Sequence, residues 1–241
     1  MNPARLLHEL GDEIRVCTLC RLAQTRTYAV PGEGDASAKI MFVGEGPGQQ
    51  EDESGRPFVG KSGQLLTREL GKIGVSREQI FITNIVKCRP PGNRVPLADE
   101  IEACNDYLMA QIALIDPKFI VPVGGPSLQT LVSKKLKITA SRSKVFRKEG
   151  ILFIPILHPS AALRAPGTMQ MFLEDLQNLR DFLAREIEEN EITDIESSLG
   201  ITSENATQNA GSGANSHSQT GAAPSNSQAS GEDDGGTLSL F

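Results

Sequence analysis

The chain of 241 residues carries four cysteines, and their spacing is the first sign of chemistry. Cys17 and Cys20 form a C-x2-C pair, and Cys88 and Cys104 follow further on. A C-x2-C turn places two thiolates on one metal, and four thiolates suit either tetrahedral zinc or a cubane iron–sulfur cluster. Spacing does not decide between the two. The bland alternative, buried unligated thiols, requires all four cysteines of the chain to fall into this pattern by accident.

A second group of reactive side chains follows four short apolar runs. The runs are KIMFVG (39–44), IFITN (80–84), FIVPVG (119–124) and ILFIPI (151–156). The segments after them are EGPGQQED (45–52), NIVKCRPPGNR (84–94), GGPS (124–127) and LHPSAALR (157–164). Within them stand carboxylates, an Asn, basic residues and His158, the only histidine between residues 9 and 216.

Short, nearly continuous apolar strands separated by helical patterns indicate a parallel sheet covered on both faces. The expected helices cover about 3–15, 62–73, 97–115, 126–133 and 168–190, with Pro96 and Pro126 near helix starts, where a missing N–H is tolerated. The fold class is therefore α/β: a three-layer α/β/α sandwich around a central four-stranded parallel sheet. In such sheets ligands lie beyond the carboxyl ends of the strands, so the four polar segments should converge on one cleft.

The net charge of −6 argues at first against a nucleic-acid binder, but it is unevenly spread. Seven acidic residues and no Lys or Arg lie from Glu191 onward, leaving 24 basic against 23 acidic residues in 1–190. The stretch from about Ser197 to Gly231 is Ser, Ala, Gly, Asn, Gln and Thr, which cannot bury enough surface to offset the entropy of ordering its backbone. The expected organisation is a folded domain over 1–190, a disordered acidic linker over 191–236 and a terminal peptide over 237–241. No apolar run is long enough for a transmembrane helix, and the charge-interrupted N-terminus is unlike a secretory signal. A cytoplasmic protein with no membrane partner, acting as a monomer, is expected, and there free thiols or metal ligands are favoured over disulfides.

The combined motifs resemble the family 4 uracil-DNA glycosylases, the thermostable-type Fe–S members of the uracil-DNA glycosylase superfamily. The likeness runs from Cys17 to about Arg185. It is carried by CTLCR (17–21), GEGPG (44–48) with ED (51–52), GRPFVGKSGQLL (55–66), TNIVKCRPPGNR (83–94) and HPS (158–160). The resemblance implies a [4Fe–4S] cluster on Cys17, Cys20, Cys88 and Cys104, and so tips the choice between zinc and iron. Such a cluster would clasp the N-terminal helix to the loop after the second strand. The resemblance also implies excision of uracil from single- or double-stranded DNA by hydrolysis of the N-glycosidic bond, leaving an abasic site, with no soluble cofactor and no catalytic metal.

That activity assigns roles to particular residues. Uracil must leave the stack to be reached, and Phe58 is the candidate platform for the flipped base. Asn84 can accept from uracil N3–H and donate to O4; cytosine presents the reversed polarity and would leave buried groups unpaired. His158 can donate to uracil O2 as negative charge gathers on the departing base. The best-known uracil glycosylase family supplies an Asp where this chain has Gly46, so Glu45 becomes the first choice for the carboxylate that aids an oxocarbenium-like state. Glu51 and Asp52 are secondary acids, or Glu51 excludes the thymine methyl. Leu163 is a candidate wedge into the duplex, and Arg164, Lys61, Lys87, Arg89 and Arg94 are candidate phosphate contacts. The segment 134–148, with seven basic and no acidic residues, is the clearest electrostatic footprint.

The last five residues, TLSLF, resemble bacterial sliding-clamp ligands, with Leu238, Leu240 and Phe241 as anchors and Thr237 where Gln is usual. A tether of about 40 residues would span roughly 35 Å. Two rivals to the enzyme reading are a superfamily member acting on another deaminated base and a non-enzymatic Fe–S module that binds DNA.

Overall fold

Four strands build the centre, and three of them are buried along their whole length or nearly so because both faces of the sheet are covered. A computed structural model describes residues 2–195. In chain order the strands are β1 (Glu33–Gly34), β2 (Ile40–Gly44), β3 (Phe81–Asn84), β4 (Phe119–Pro122), β5 (Val145–Lys148), β6 (Ile151–Phe153) and β7 (Ile192–Asp194). The helices are α1 (Pro3–Val16), α2 (Gln49–Ser54), α3 (Lys61–Lys72), α4 (Ala98–Ile115), α5 (Gly125–Leu131), α6 (Ile138–Ser141), α7 (Pro159–Ala162) and α8 (Pro166–Leu183).

Among the described residues the sheet has seven strands in the order β1-β3-β2-β4-β6-β5-β7. The four expected strands are the parallel centre β3-β2-β4-β6. The four-stranded expectation is corrected by three short additions: β1 runs antiparallel to β3, β5 antiparallel to β6, and β7 parallel to β5. Because β7 joins the sheet at residues 192–194, folded structure continues past residue 190, where the linker was expected to begin. The helix expected over 168–190 is shorter at its end, closing at Leu183.

Alternation along the strands splits the core in two. Phe42, Ile82 and Val121 face a cluster with Leu66 of α3 and Phe172 and Leu176 of α8. Met41, Val43 and Ile120 face the opposite cluster, with Leu108 of α4 and Leu128 of α5. A satellite cluster joins Ile14 and Leu22 to Val86, Cys88 and Cys104. Among the described residues, no helix is long and apolar enough to cross a membrane.

The register fixes where chemistry can occur. Gly44 pairs with Asn84 at the carboxyl ends of β2 and β3, and a parallel bridge from Val123 to Ile156 brings the chain after β6 alongside the end of β4. One helix serves several places at once. The buried positions of α4 are Glu100, Cys104, Leu108, Gln111 and Ile115, an i, i+4, i+8, i+11, i+15 stripe on one face.

Candidate active site and cysteine cavity

At the carboxyl ends of the parallel strands lies a cavity of about 450 Å³, within the range of small-molecule sites. Its walls include Glu45 and Gly46 after β2, Phe58, Asn84 at the end of β3, and His158 and Arg164 after β6. The strand-end segments thus converge as the sequence suggested.

Asn84 is 2% exposed. Among the described residues no hydrogen bond holds its carboxamide, and the residue lines the cavity. The ring of Phe58 stands 6.2 Å from that of His158, tilted by 35°. Phe58 adopts φ 51°, a left-handed conformation that an aromatic residue holds only when its surroundings impose it. They do so from several sides. Arg77 donates to Phe58 O at 3.3 Å and also to Pro57 O, while Glu51 Oε1 accepts from Val59 N at 2.9 Å and Gly60 N at 2.8 Å. The close approach also depends on glycine. A Cβ on Gly63 would fall inside the backbone of Phe58, and one on Gly44 would overlap the Phe58 ring and Asn84 Oδ1.

His158 caps α7, and its Nδ1 accepts from Ser160 N at 3.2 Å, with Ser160 Oγ at 2.8 Å. An Nδ1 that accepts an amide proton carries none itself, so the neutral ring holds its proton on Nε2. Burial, with Arg164 nearby, lowers the pKa of His158 to about 4, against an opposing pull from Glu51. The ring is therefore neutral at pH 7 and donates from Nε2. The chain just before it is anchored by Asp175, whose carboxylate accepts from Leu157 N at 2.8 Å, Arg142 Nε at 2.7 Å and Ser143 Oγ at 2.9 Å. Burial alone pushes the Glu45 carboxyl above its usual range.

The remaining candidates divide. Glu51 lines the cavity, but one of its oxygens is occupied by the Phe58 loop. Asp52 departs from the expected place at the cavity: it is 3% exposed, away from the cavity wall, and its carboxylate accepts from Thr27 N at 2.9 Å. Lys87 is a correction, because it is 1% exposed and its ammonium is enclosed by protein oxygens, out of reach of phosphate. Lys61 and Leu163 border a neighbouring depression, where Leu163 is 50% exposed. Arg89 is bonded to Asn93, and Arg94 lines the cavity while pairing with Glu100. The basic segment 134–148 divides: Arg142 pairs with Asp175, Arg147 with Glu189 and Asp194, and Lys148 donates to Leu131 O, while Lys134, Lys135, Lys137 and Lys144 are exposed. Leu238, Leu240 and Phe241 lie outside the described residues. Arg77 and Asp175, which hold the Phe58 loop and the chain before His158, carried no local signal: each acts on residues about 20 positions away.

The four cysteines line one small, largely apolar cavity together with Ile14, Arg26 and Tyr107. Cys88 accepts from Arg26 Nη1 at 3.0 Å, Cys104 from Lys87 N at 3.3 Å and Cys17 from Leu19 N at 3.5 Å. Burial pushes the Cys88 thiol up to about 11 despite Arg26, and raises Cys104 as well. Among the described residues, no group of three or more His, Cys, Asp or Glu is assembled closely enough to hold a metal ion. The donor set still fits a thiolate-bound group: four sulfurs face one cavity, and three of them receive N–H donors of the kind that tune such sulfurs.

The fold and this cavity place the chain in a defined class. The profile of the Uracil DNA glycosylase superfamily matches residues 31–180. A Type-4 uracil-DNA glycosylase of Sulfurisphaera tokodaii is 46% identical over 184 residues, covering 73% of this chain and 84% of the relative. One from Thermotoga maritima is 42% identical over 185 residues, covering 75% and 96%, and one from Saccharolobus solfataricus is 45% identical over 184 residues, covering 73% and 85%. The chain belongs to the type-4 uracil-DNA glycosylases within that superfamily.

Proposed function

We propose that the protein is a monofunctional uracil-DNA glycosylase that hydrolyses the N-glycosidic bond of deoxyuridine in DNA, initiating base excision repair. The carrying observation is the convergence of Asn84, Phe58 and His158 on one cavity in a chain of this family. In this reading the flipped uracil stacks on Phe58, and the Asn84 carboxamide accepts from N3–H while donating to O4. As the C1′–N1 bond breaks, His158 Nε2–H donates to O2 and stabilises the negative charge on the leaving base. A neutral imidazole donates this hydrogen bond from Nε2 while keeping its proton. Glu45 faces the sugar side, where an ionised carboxylate stabilises positive charge at C1′ and orients the water whose oxygen bonds to that carbon. The proton released by that water returns through solvent to the uracil anion. Glu51, with its carboxylate pinned on two amides, serves as a fixed wall against the thymine methyl.

Cys17, Cys20, Cys88 and Cys104 would hold a [4Fe–4S] cluster, supported by their shared cavity and the N–H donors on their sulfurs. When bound, the cluster supplies a structural cross-link and takes no part in bond cleavage. Leu163 and Arg164, at the rim, serve as wedge and phosphate contact, and Lys61 and Arg89 as further phosphate contacts. The terminal TLSLF is proposed as an address for a sliding clamp; loss of clamp pull-down on deleting it is the expected result.

The test is release of free base from single-stranded, U:G and U:A oligonucleotides, beside hypoxanthine and thymine substrates. Uracil release is expected. Release of hypoxanthine alone would transfer the protein to another deaminated base, and release of nothing would leave only a DNA-binding role.

A further inference from the structure

Lys87 is among the largest side chains wholly removed from water, yet its ammonium meets only neutral oxygens. They are Thr83 Oγ1 at 2.6 Å, Gln111 Oε1 at 2.7 Å and the Asn84 carbonyl at 2.8 Å. Three donors meet three acceptors, so the group is fully used. Burying an ammonium still withdraws a charge from water at a cost. Packing alone gives no reason for a lysine here.

What the ammonium grips supplies a reason. Thr83 and Asn84 are the last two residues of β3, and Gln111 comes from α4. The far side of the network is closed as well: Thr83 Oγ1 donates to Pro31 O at 2.9 Å, and Gln111 Nε2 donates to the same oxygen at 2.7 Å. The end of β3 is thereby tied to a helix and a loop that do not otherwise touch the cavity. The Asn84 carboxamide has no hydrogen bond of its own among the described residues, so its aim is set by its backbone and by packing. A fixed carbonyl orients the peptide on which the Asn84 Cα–Cβ bond depends. The backbone N–H of Lys87 also donates to Cys104 Sγ, which places the grip between the two cavities.

We propose that Lys87 is a positioning residue for Asn84: by holding the Asn84 carbonyl together with Thr83 and Gln111, it fixes the direction in which the carboxamide enters the cavity. The proposal rests on the reading of Asn84 as the group that recognises the base edge, and the experiment separates the two. Purified holoprotein, with iron content and melting temperature measured for every variant, is assayed for single-turnover uracil release and for the kcat and KM of an oligonucleotide. Lys87→Met is expected to keep its iron and to lower kcat by about tenfold or more, since small misplacements at a reacting site are costly, with KM for DNA unchanged. In an Asn84→Ala background the same substitution should cost nothing further, because residues acting through one another are not additive. Thr83→Val should give a smaller loss of the same kind, also absent beside Asn84→Ala, and it decides the matter alone if Lys87→Met does not fold. A wild-type rate in Lys87→Met, or an equal loss on both backgrounds, overturns the positioning role while the base-reading assignment stands. A wild-type rate in Asn84→Ala overturns that assignment and the positioning role with it.

Discussion

Two cavities share one short segment of chain and are built on opposite principles. From Asn84 to Cys88 the backbone passes from the wall of a polar cavity of about 450 Å³ to that of a small apolar one. In the first, the Asn84 carboxamide and the Nε2 side of His158 have no partner among the described residues, and the surrounding bonds from Arg77, Glu51 and Asp175 hold loops in place. In the second, three of the four sulfurs are met by N–H groups and the walls include Ile14, Ala23 and Ala103. Polar groups kept unpaired cost stability and are retained where a ligand repays them. Thiols gathered in apolar surroundings hold the fold together only if something binds them. Variants in the first cavity should therefore lose activity and keep stability, and variants in the second should do the reverse.

The strongest break is expected at the cysteines. Cys104→Ser should remove about four irons per chain and lower the melting temperature by about 10 °C or more, as a loss of several kcal/mol does in a domain of this size. Iron analysis with thermal unfolding checks this; stoichiometric zinc in the wild-type protein would refute the cluster. Next comes Asp175→Ala, which uncouples Arg142, Ser143 and Leu157 at once and should destabilise the protein by about 3–5 kcal/mol in denaturant titration, as breaking a buried ion pair does. Asn84→Ala should leave the melting curve in place and slow single-turnover excision by on the order of 100-fold, the scale of losing a buried base-reading group.

A pH titration sharpens the contrast within the first cavity. An unfolded histidine takes up a proton near 6.5, whereas His158 resists until about 4. Between those values the unfolded chain binds more protons, so stability is present above pH 6.5 and declines as pH falls towards 4. His158→Gln should flatten unfolding free energy across that window. The smallest effects are at the surface. Arg164→Ala should weaken DNA binding and reduce the salt slope by about one, whereas Arg147→Ala, with its guanidinium committed to Glu189 and Asp194, should leave DNA affinity unchanged and cost about 0–1 kcal/mol.

Much of the larger cavity's lining was legible because it is built from strand ends. Apolar runs that stop at Glu45, Asn84 and His158 mark the places where a parallel sheet must deliver its side chains. The three extra strands were not legible, since β1 has two residues and β5 and β7 carry charges that break the apolar pattern. Glu51 and Asp52 are neighbours in sequence, but successive residues on the short helix α2 point about 100° apart, so one faces the cavity and the other faces Thr27. Lys87 reads as a surface cation between two loop motifs; only the packing of α4 over β3 shows it enclosed. In the basic segment 134–148, Arg142 and Arg147 meet Asp175, Glu189 and Asp194, which lie some 30 to 50 residues further along, while Lys134, Lys135, Lys137 and Lys144 stay exposed.

The stripe on α4 has a consequence for how such a chain can change over generations. Glu100 secures the arginine at the cavity rim, Cys104 belongs to the thiol cavity, and Gln111 holds Lys87. One inserted or deleted residue between positions 100 and 111 would rotate the later members by about 100° relative to the first and unseat them together. Length variation among descendants of this sequence should therefore be absent from that helix.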